Sequence, residues 1–454
     1  MTAEQVEDQV RATLHAVALD GVRAPGDLAE KVVRRRDRRR FSQAAGTVVA
    51  VVAITVGAVL GFGDGGAAEQ DPPVRPAASP PGWKPWQSGA PGIGERGCLA
   101  DGSALYCSGY EYDVVKLDAR TGERLWSLRG NGGGDGRDHP FAVRDGVLYA
   151  YRNHTEQQRQ DGNYVIHAPG TDLMAVDAAT GDVLWAVEMP ADTRSDQSAM
   201  LIDGAVLANT PTDRSLSALD PLTGQEKWRH TWDKGIACER AVLSGVPHLL
   251  CVRDIKKPDG TDVFRLDPVT GAATKVTTVP GAQRLIGTSR GRLVLAEARR
   301  TADKDMRLTT VSSSGKQTSH FCRIEENPAA LDVFGDRLIT VSWQGRASAH
   351  SLTTGKALWS DRPVGVEMPD EETTPMGLAS SVVSEGRRIV YFLSPTGDLS
   401  GLDLRTGDEV WRTHTDADHP GDGLAVIPEL LLYEEVLVAL NGSEIVSLLP
   451  QSDD

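Results

Sequence analysis

Five cysteines, ten histidines and a few tight acidic runs are the side chains able to do covalent, metal or acid–base chemistry in this 454-residue chain. Cys98 and Cys107 are centred on Gly102-Ser103, and Cys238 and Cys251 on Ser244-Gly245. In a hairpin with a two-residue loop, paired positions have a constant sum. Each cysteine pair then faces directly across a ladder, close enough to bridge at a non-hydrogen-bonded position. Two disulfides are expected, and with them an oxidising compartment. Cys322 is left over and reads as a small buried hydrophobe.

The acidic runs point to surface loops before they point to metal. Gly130-Asn131-Gly132-Gly133-Gly134-Asp135-Gly136-Arg137-Asp138-His139 can gather oxygen ligands around calcium through Asp135 and Asp138, the metal candidates of this chain. Asp416, Asp418 and His419 form a similar loop, and Asp370-Glu371-Glu372 reads as an exposed acidic one. The histidines are scattered singly, with no His-Glu-x-x-His zinc site and no Gly-Lys-Ser/Thr phosphate loop. No catalytic or cofactor-binding residue is expected. With 63 acidic against 48 basic side chains, a net charge of −15, nucleic acid is not an expected partner.

What positions these residues is a repeat. Leu117-Asp118-Ala119-Arg120-Thr121-Gly122 is followed by Trp126; Val176-Asp177 leads through Thr180-Gly181 to Trp185, and Leu219-Asp220 through Thr223-Gly224 to Trp228. Leu266-Asp267 leads through Thr270-Gly271 to Lys275, where a tryptophan is expected, and a degenerate copy surrounds Gly315. Ser351 then leads through Thr354-Gly355 to Trp359, and Leu402-Asp403 through Thr406-Gly407 to Trp411. Five of the nine tryptophans thus fall four residues after the glycine, which chance does not arrange. Gly122 to Gly407 is 285 residues over six intervals, a mean period of 47.5.

Each copy follows strand-like stretches such as Phe141–Tyr151, Ala199–Asn209, Arg292–Glu297 and Arg337–Trp343, punctuated by Asp145-Gly146, Asp203-Gly204 and Gly335-Asp336. No amphipathic helix of useful length appears beyond residue 97. Periods of 40 to 50 residues made of four short strands indicate a propeller, whose blades bury their faces only against neighbours. The Thr-Gly pair turns between two strands because glycine tolerates positive φ, and the preceding aspartate can bond the turn's backbone. The tryptophan then lies on the outermost strand and wedges between blades.

The pattern resembles the pyrroloquinoline-quinone-like (PQQ-like) repeat of β-propeller proteins, over residues 81–450. The resemblance implies an all-β propeller of eight blades, alternatively seven. Leu430–Leu440 and Ile445–Leu449 supply strands with no Thr-Gly-Trp unit after them, so Trp83 and Trp86 are expected to bring the missing outer strand and close the ring. Quinone enzymes of the family hold their cofactor under a bridge between two adjacent cysteines. The nearest pair here is nine apart, and no cofactor-binding position of the family can be matched, so no cofactor is expected.

Residues 1–42 carry nine basic and seven acidic side chains, a local net of +2 that leaves −17 for the remainder. Val6, Val10, Leu14 and Val17 recur at helical spacing there, so short helices are expected. Ala44 to Phe62 follows with no charge, and as a helix it spans about 30 Å, the hydrocarbon thickness of a bilayer. A transmembrane helix over 43–62 is expected. Six arginines in Arg34–Arg40 directly before it place the amino terminus in the cytoplasm and the acidic bulk outside. Residues 63–80 form a Pro/Gly-rich spacer, and 451–454 a tail.

The expected protein is therefore a single-pass bacterial membrane protein with a non-catalytic extracytoplasmic propeller that binds a protein or small ligand at its rim. A quinone- or calcium-dependent oxidoreductase is one alternative. A cell-envelope scaffold, or a regulator signalling through the cytoplasmic tail, is the other.

Overall fold

The computed structural model describes residues 79–450, apart from 90–92, 95, 131–139, 161–163, 191–198, 254–258, 298–304, 325–327, 369–377, 416–427 and 443. The expected tail, membrane span and most of the spacer lie outside the described residues. Among the described residues no helix is long and apolar enough to cross a membrane.

The described chain forms eight four-stranded antiparallel sheets. Seven are consecutive in sequence, over residues 97–129, 142–189, 200–231, 236–280, 283–323, 330–363 and 382–414. The eighth takes three strands from residues 429–448, and its outermost strand is Trp86–Gly89, paired antiparallel to Glu444–Leu448. The count is eight, not seven, because the start of the chain completes the sheet at its end. Trp86 lies in that strand; Trp83 precedes it, buried, with its indole N–H donating to Ser447 Oγ at 2.9 Å.

Strands buried on both faces read as short continuous apolar runs, such as Ile389–Leu393 and Val436–Asn441, all buried. Alternation splits each run between two seams. In the first blade, Leu105 and Val115 join Val438 and Leu440 of the eighth, whereas Ala104, Tyr106 and Val114 join Leu148 and Met174 of the second. The buried hydrophobic residues form eight such clusters, each drawn from two neighbouring blades, and the series returns from the eighth blade to the first. Eight seams for eight sheets is a closed ring.

The two rims differ. Connections between first and second and between third and fourth strands are tight turns of at most six residues, 220–225 and 267–272 being the longest. Antiparallel order puts them all on one rim. The other rim carries the remaining connections, up to the eighteen residues of 364–381. There the hairpin Val147–Gln160 and Tyr164–Asp177 of the second blade continues for fourteen pairs, ending at Gln160↔Tyr164. Its flanking strands stop early, at Ala142↔Tyr149 and Thr171↔Met189. Past Asn153↔Thr171 a two-stranded arm therefore runs on alone for seven residues per strand, roughly 23 Å.

Candidate functional site

The repeat's residues build the seams. At Asp177 the carboxylate accepts the N–H groups of Ala179 and Thr180, both at 2.8 Å, and the Gly181 N–H returns to the Asp177 carbonyl at 2.9 Å. Asp220, Asp267 and Asp403 repeat the turn. Those backbone donors hold the Asp177 and Asp267 carboxyls below the usual range; at Asp220 the Lys227 ammonium leads.

Each indole reaches forward to the next blade's turn. Trp86, Trp126, Trp185, Trp228 and Trp359 donate to the carbonyls of Ala119, Ala178, Pro221, Pro268 and Leu404, at 2.8 to 3.3 Å. Their rings lie flat on Gly122, Gly181, Gly224, Gly271 and Gly407, where a Cβ would approach ring atoms to 2.4–2.9 Å. Glycine is required here twice over, for φ near +70° to +84° and for the space. Trp411 packs in the seventh seam, edge-on to Tyr391 at 5.8 Å.

Two seams depart from this plan. In the first, second, third and sixth blades a β-bulge precedes the tryptophan, so that Leu125, Leu184, Lys227 and Leu358 are extra residues turned outward. The fifth blade's outer strand has no such register shift, and in the fourth the shift leaves Val276 as the extra residue. A one-residue slip moves every side chain to the other face. Lys275 therefore does not occupy the tryptophan's place: it is exposed and ion-paired to Asp262 at 2.7 Å, while Val276 meets Gly315 and, one blade on, His320 meets Gly355. The seams on both sides of the fifth blade are closed without an indole.

The cysteines are paired as Cys98–Cys107 and Cys238–Cys251, directly across their ladders with Cα separations of 4.0 and 4.1 Å. Cys322 is a buried thiol whose Sγ lies 3.6 Å from the Gly355 carbonyl. Asp135, Asp138, Asp370, Glu371, Glu372, Asp416, Asp418 and His419 lie outside the described residues. The connections that hold them leave from and return to the rim of the arm. Among the described residues no group of three or more His, Cys, Asp or Glu side chains is placed to hold a metal.

Some polar residues carry no signal in the sequence. Glu239, Asp332 and Glu429, on innermost strands, accept the backbone N–H of Leu285, Ser381 and Cys98 in the following blade, at 2.6, 2.9 and 2.6 Å. Burial pushes the Glu239 and Asp332 carboxyls up, against the pull of those N–H groups. They tie blades together. Gly287-Thr288-Ser289-Arg290-Gly291 has the Gly-x-Ser-x-Gly spacing of a hydrolase nucleophile. Here it is a hairpin turn between two strands, and Ser289 Oγ donates to the Gly335 carbonyl, so the strand-to-helix elbow is missing.

On the sixth blade's face toward the fifth lies a pocket of 510 Å³. Arg346, Ser348 and His350 alternate with Ala347 and Ala349, which pack on the seventh blade, and so share the face of Leu338 in the fifth–sixth cluster. Thr340, Ser342 and Ser360 add hydroxyls, and Ile324, Pro328 and Ala357 add apolar wall. His350 is 4% exposed and its Nδ1 meets no partner; burial holds the imidazole below its usual range, hence neutral at pH 7. Arg346 is engaged by Asp361, Nε to Oδ1 at 2.8 Å.

Ring closure, turn and indole together define an eight-bladed β-propeller of repeated four-stranded units, with hydrogen-bonding surfaces on its rim and in its seams. Residues 110–370 and 250–447 match the family described as outer membrane protein assembly factor BamB (PQQ_2). The chain belongs to that family. The serine/threonine-protein kinase AfsK of Streptomyces coelicolor is 30% identical over 214 residues, 41% of this chain and 24% of the kinase. The chain thus spans about a quarter of that relative's length. The crystal structure of the computationally designed Ika8 protein shares the fold, with a TM-score of 0.51 at 13% identity over 78% of this chain and 95% of that one. BamB from Moraxella catarrhalis superposes with a TM-score of 0.48 at 15% identity, over 78% of this chain and 93% of that one.

Proposed function

We propose that this chain is a single-pass membrane protein whose propeller, outside the membrane, serves as a non-catalytic platform for a protein partner. The observation that carries the reading is the asymmetry of the rims: one is closed by tight turns, and the other presents the longer connections and the projecting arm of 154–160 and 164–170. A two-stranded ribbon with both edges unpaired offers backbone donors and acceptors to a partner strand. The family description, an outer-membrane assembly factor, supports assembly work at such a rim. Placement outside the membrane is supported by the two disulfides and by the charge-free run 44–62 with its arginines on the amino-terminal side.

Replacing 154–170 by Asn-Gly joins Asn153 to Thr171, which are already paired, through a turn suited to a two-residue hairpin loop. Photocrosslinking in intact cells from the arm rim of the unaltered chain is expected to trap a protein that the armless chain no longer traps, at unchanged thermal stability. Identical crosslinks from both chains would remove the platform reading. A second reading, signalling through residues 1–42, is favoured by the similarity to part of a serine/threonine kinase. It predicts that deleting the tail alters gene expression while rim crosslinks persist.

A further inference from the structure

We propose that the pocket between the fifth and sixth blades binds a small neutral polyhydroxylated ligand, a saccharide unit, through His350 and the hydroxyls of Thr340, Ser342, Ser348 and Ser360. At 510 Å³ it has the size of small-molecule sites. It lies in one of the two seams without an indole: His320 rather than a tryptophan faces Gly355 there.

The donor and acceptor set selects the ligand class. His350 lines the pocket with its neutral ring, while its Nδ1 is shut off from solvent. A ligand hydroxyl both donates and accepts, so it pairs with the hydroxyls of Thr340, Ser342, Ser348 and Ser360 in either sense, where a pure donor or acceptor suits only one. Ser342 Oγ accepts the Arg346 N–H and Ser348 Oγ accepts the Asp361 N–H, both at 3.2 Å, which leaves each hydroxyl proton to donate. Arg346 and Asp361 neutralise one another across 2.8 Å, so the pocket holds no unpaired charge to balance a charged ligand. Ile324, Pro328 and Ala357 give the C–H faces of a sugar ring an apolar wall.

The test is saturation-transfer NMR on the full-length chain in a zwitterionic detergent. D-glucose, N-acetyl-D-glucosamine and trehalose serve as neutral probes, with D-glucuronate as the charged comparison. At least one neutral probe is expected to show transfer, weakened about tenfold or more by His350→Phe and abolished by Ser360→Phe, which fills the mouth. Ser360 is exposed, so its variant decides the matter even if His350→Phe does not fold. The proposal is overturned by no transfer from any neutral probe at millimolar concentration, by transfer that Ser360→Phe leaves intact, or by tighter binding of glucuronate than of every neutral probe.

Discussion

At the scale of single residues, the glycine of a Thr-Gly turn and that of a hairpin tip separate two effects that usually travel together. Gly271 has φ +70°, and an alanine Cβ there would come within 2.4 Å of the Trp228 ring; Gly146 has φ +83° with nothing within 4 Å. Gly146→Ala is expected to cost only the left-handed penalty, about 1–2 kcal/mol. Gly271→Ala adds the displaced indole, a further ~1–3 kcal/mol. Urea midpoints of the two variants measure the difference, and equal losses would show that the ring does not depend on the missing methyl. His248 and His350 give the pH dependence. Burial lowers both imidazole pKa values below the unfolded value of about 6.5, so the unfolded chain binds the protons first. Stability is therefore fully present above that pH and is lost as pH falls from about 6.5 toward the folded values. The buried carboxyls of Glu239 and Asp332, shifted upward, act in the opposite sense. The informative quantity is thus the difference between the wild-type chain and His248→Gln: the variant should lose less in melting temperature between pH 7 and pH 5.

At the scale of strands and turns, the sequence was informative wherever one residue type served one geometry. Asp-x-x-Thr-Gly encodes a turn that needs both a carboxylate acceptor and a positive φ, and the cysteine spacings encode hairpins with two-residue tips. Bulges leave no comparable mark. Nothing in Lys275-Val276 or Ser319-His320 announces that the register slips, so the side chain facing the next blade is the second of each pair. Nor could the pocket be read, since its hydroxyls come from three strands that only the fold brings together. Edge bulges also turn Leu125, Leu184 and Leu358 outward, which breaks the flat outer edge on which stray strands would pair. The displaced registers predict a local weakness. The fifth blade, residues 283–323, is flanked by both indole-free seams, and a buried aromatic of this size contributes roughly 3–5 kcal/mol. Its amide protons should exchange faster than those of the second blade in native-state hydrogen exchange. Equal protection would mean that Val276 and His320 close their seams as firmly as indoles do.

At the scale of the whole molecule, the ring depends on a strand supplied from the other end of the chain. Trp86–Gly89 pairs with Glu444–Leu448 in the eighth blade, and its Trp86 indole crosses to the first, donating to Ala119 at 3.0 Å and covering Gly122. Trp83 adds a bond to Ser447, and Cys98 of the first blade donates its backbone N–H to Glu429 of the eighth. Contacts between residues more than 300 apart in sequence thus meet at one seam. Loop closure over such a length costs only a few kcal/mol more than over a short one, so one buried and one half-buried indole are sufficient to offset it. The same strand lies just after the proline-rich residues 63–80 in sequence. A chain beginning at residue 79 should therefore melt like the intact propeller. One beginning at residue 90 loses both indoles and leaves Glu444–Leu448 as an open edge; it should melt at a markedly lower temperature and associate in a concentration-dependent way. Differential scanning calorimetry and light scattering on the two chains distinguish the cases. If both behave alike, the seam is held by residues 429–448 alone and Trp86–Gly89 is an attachment to the ring and not part of its closure.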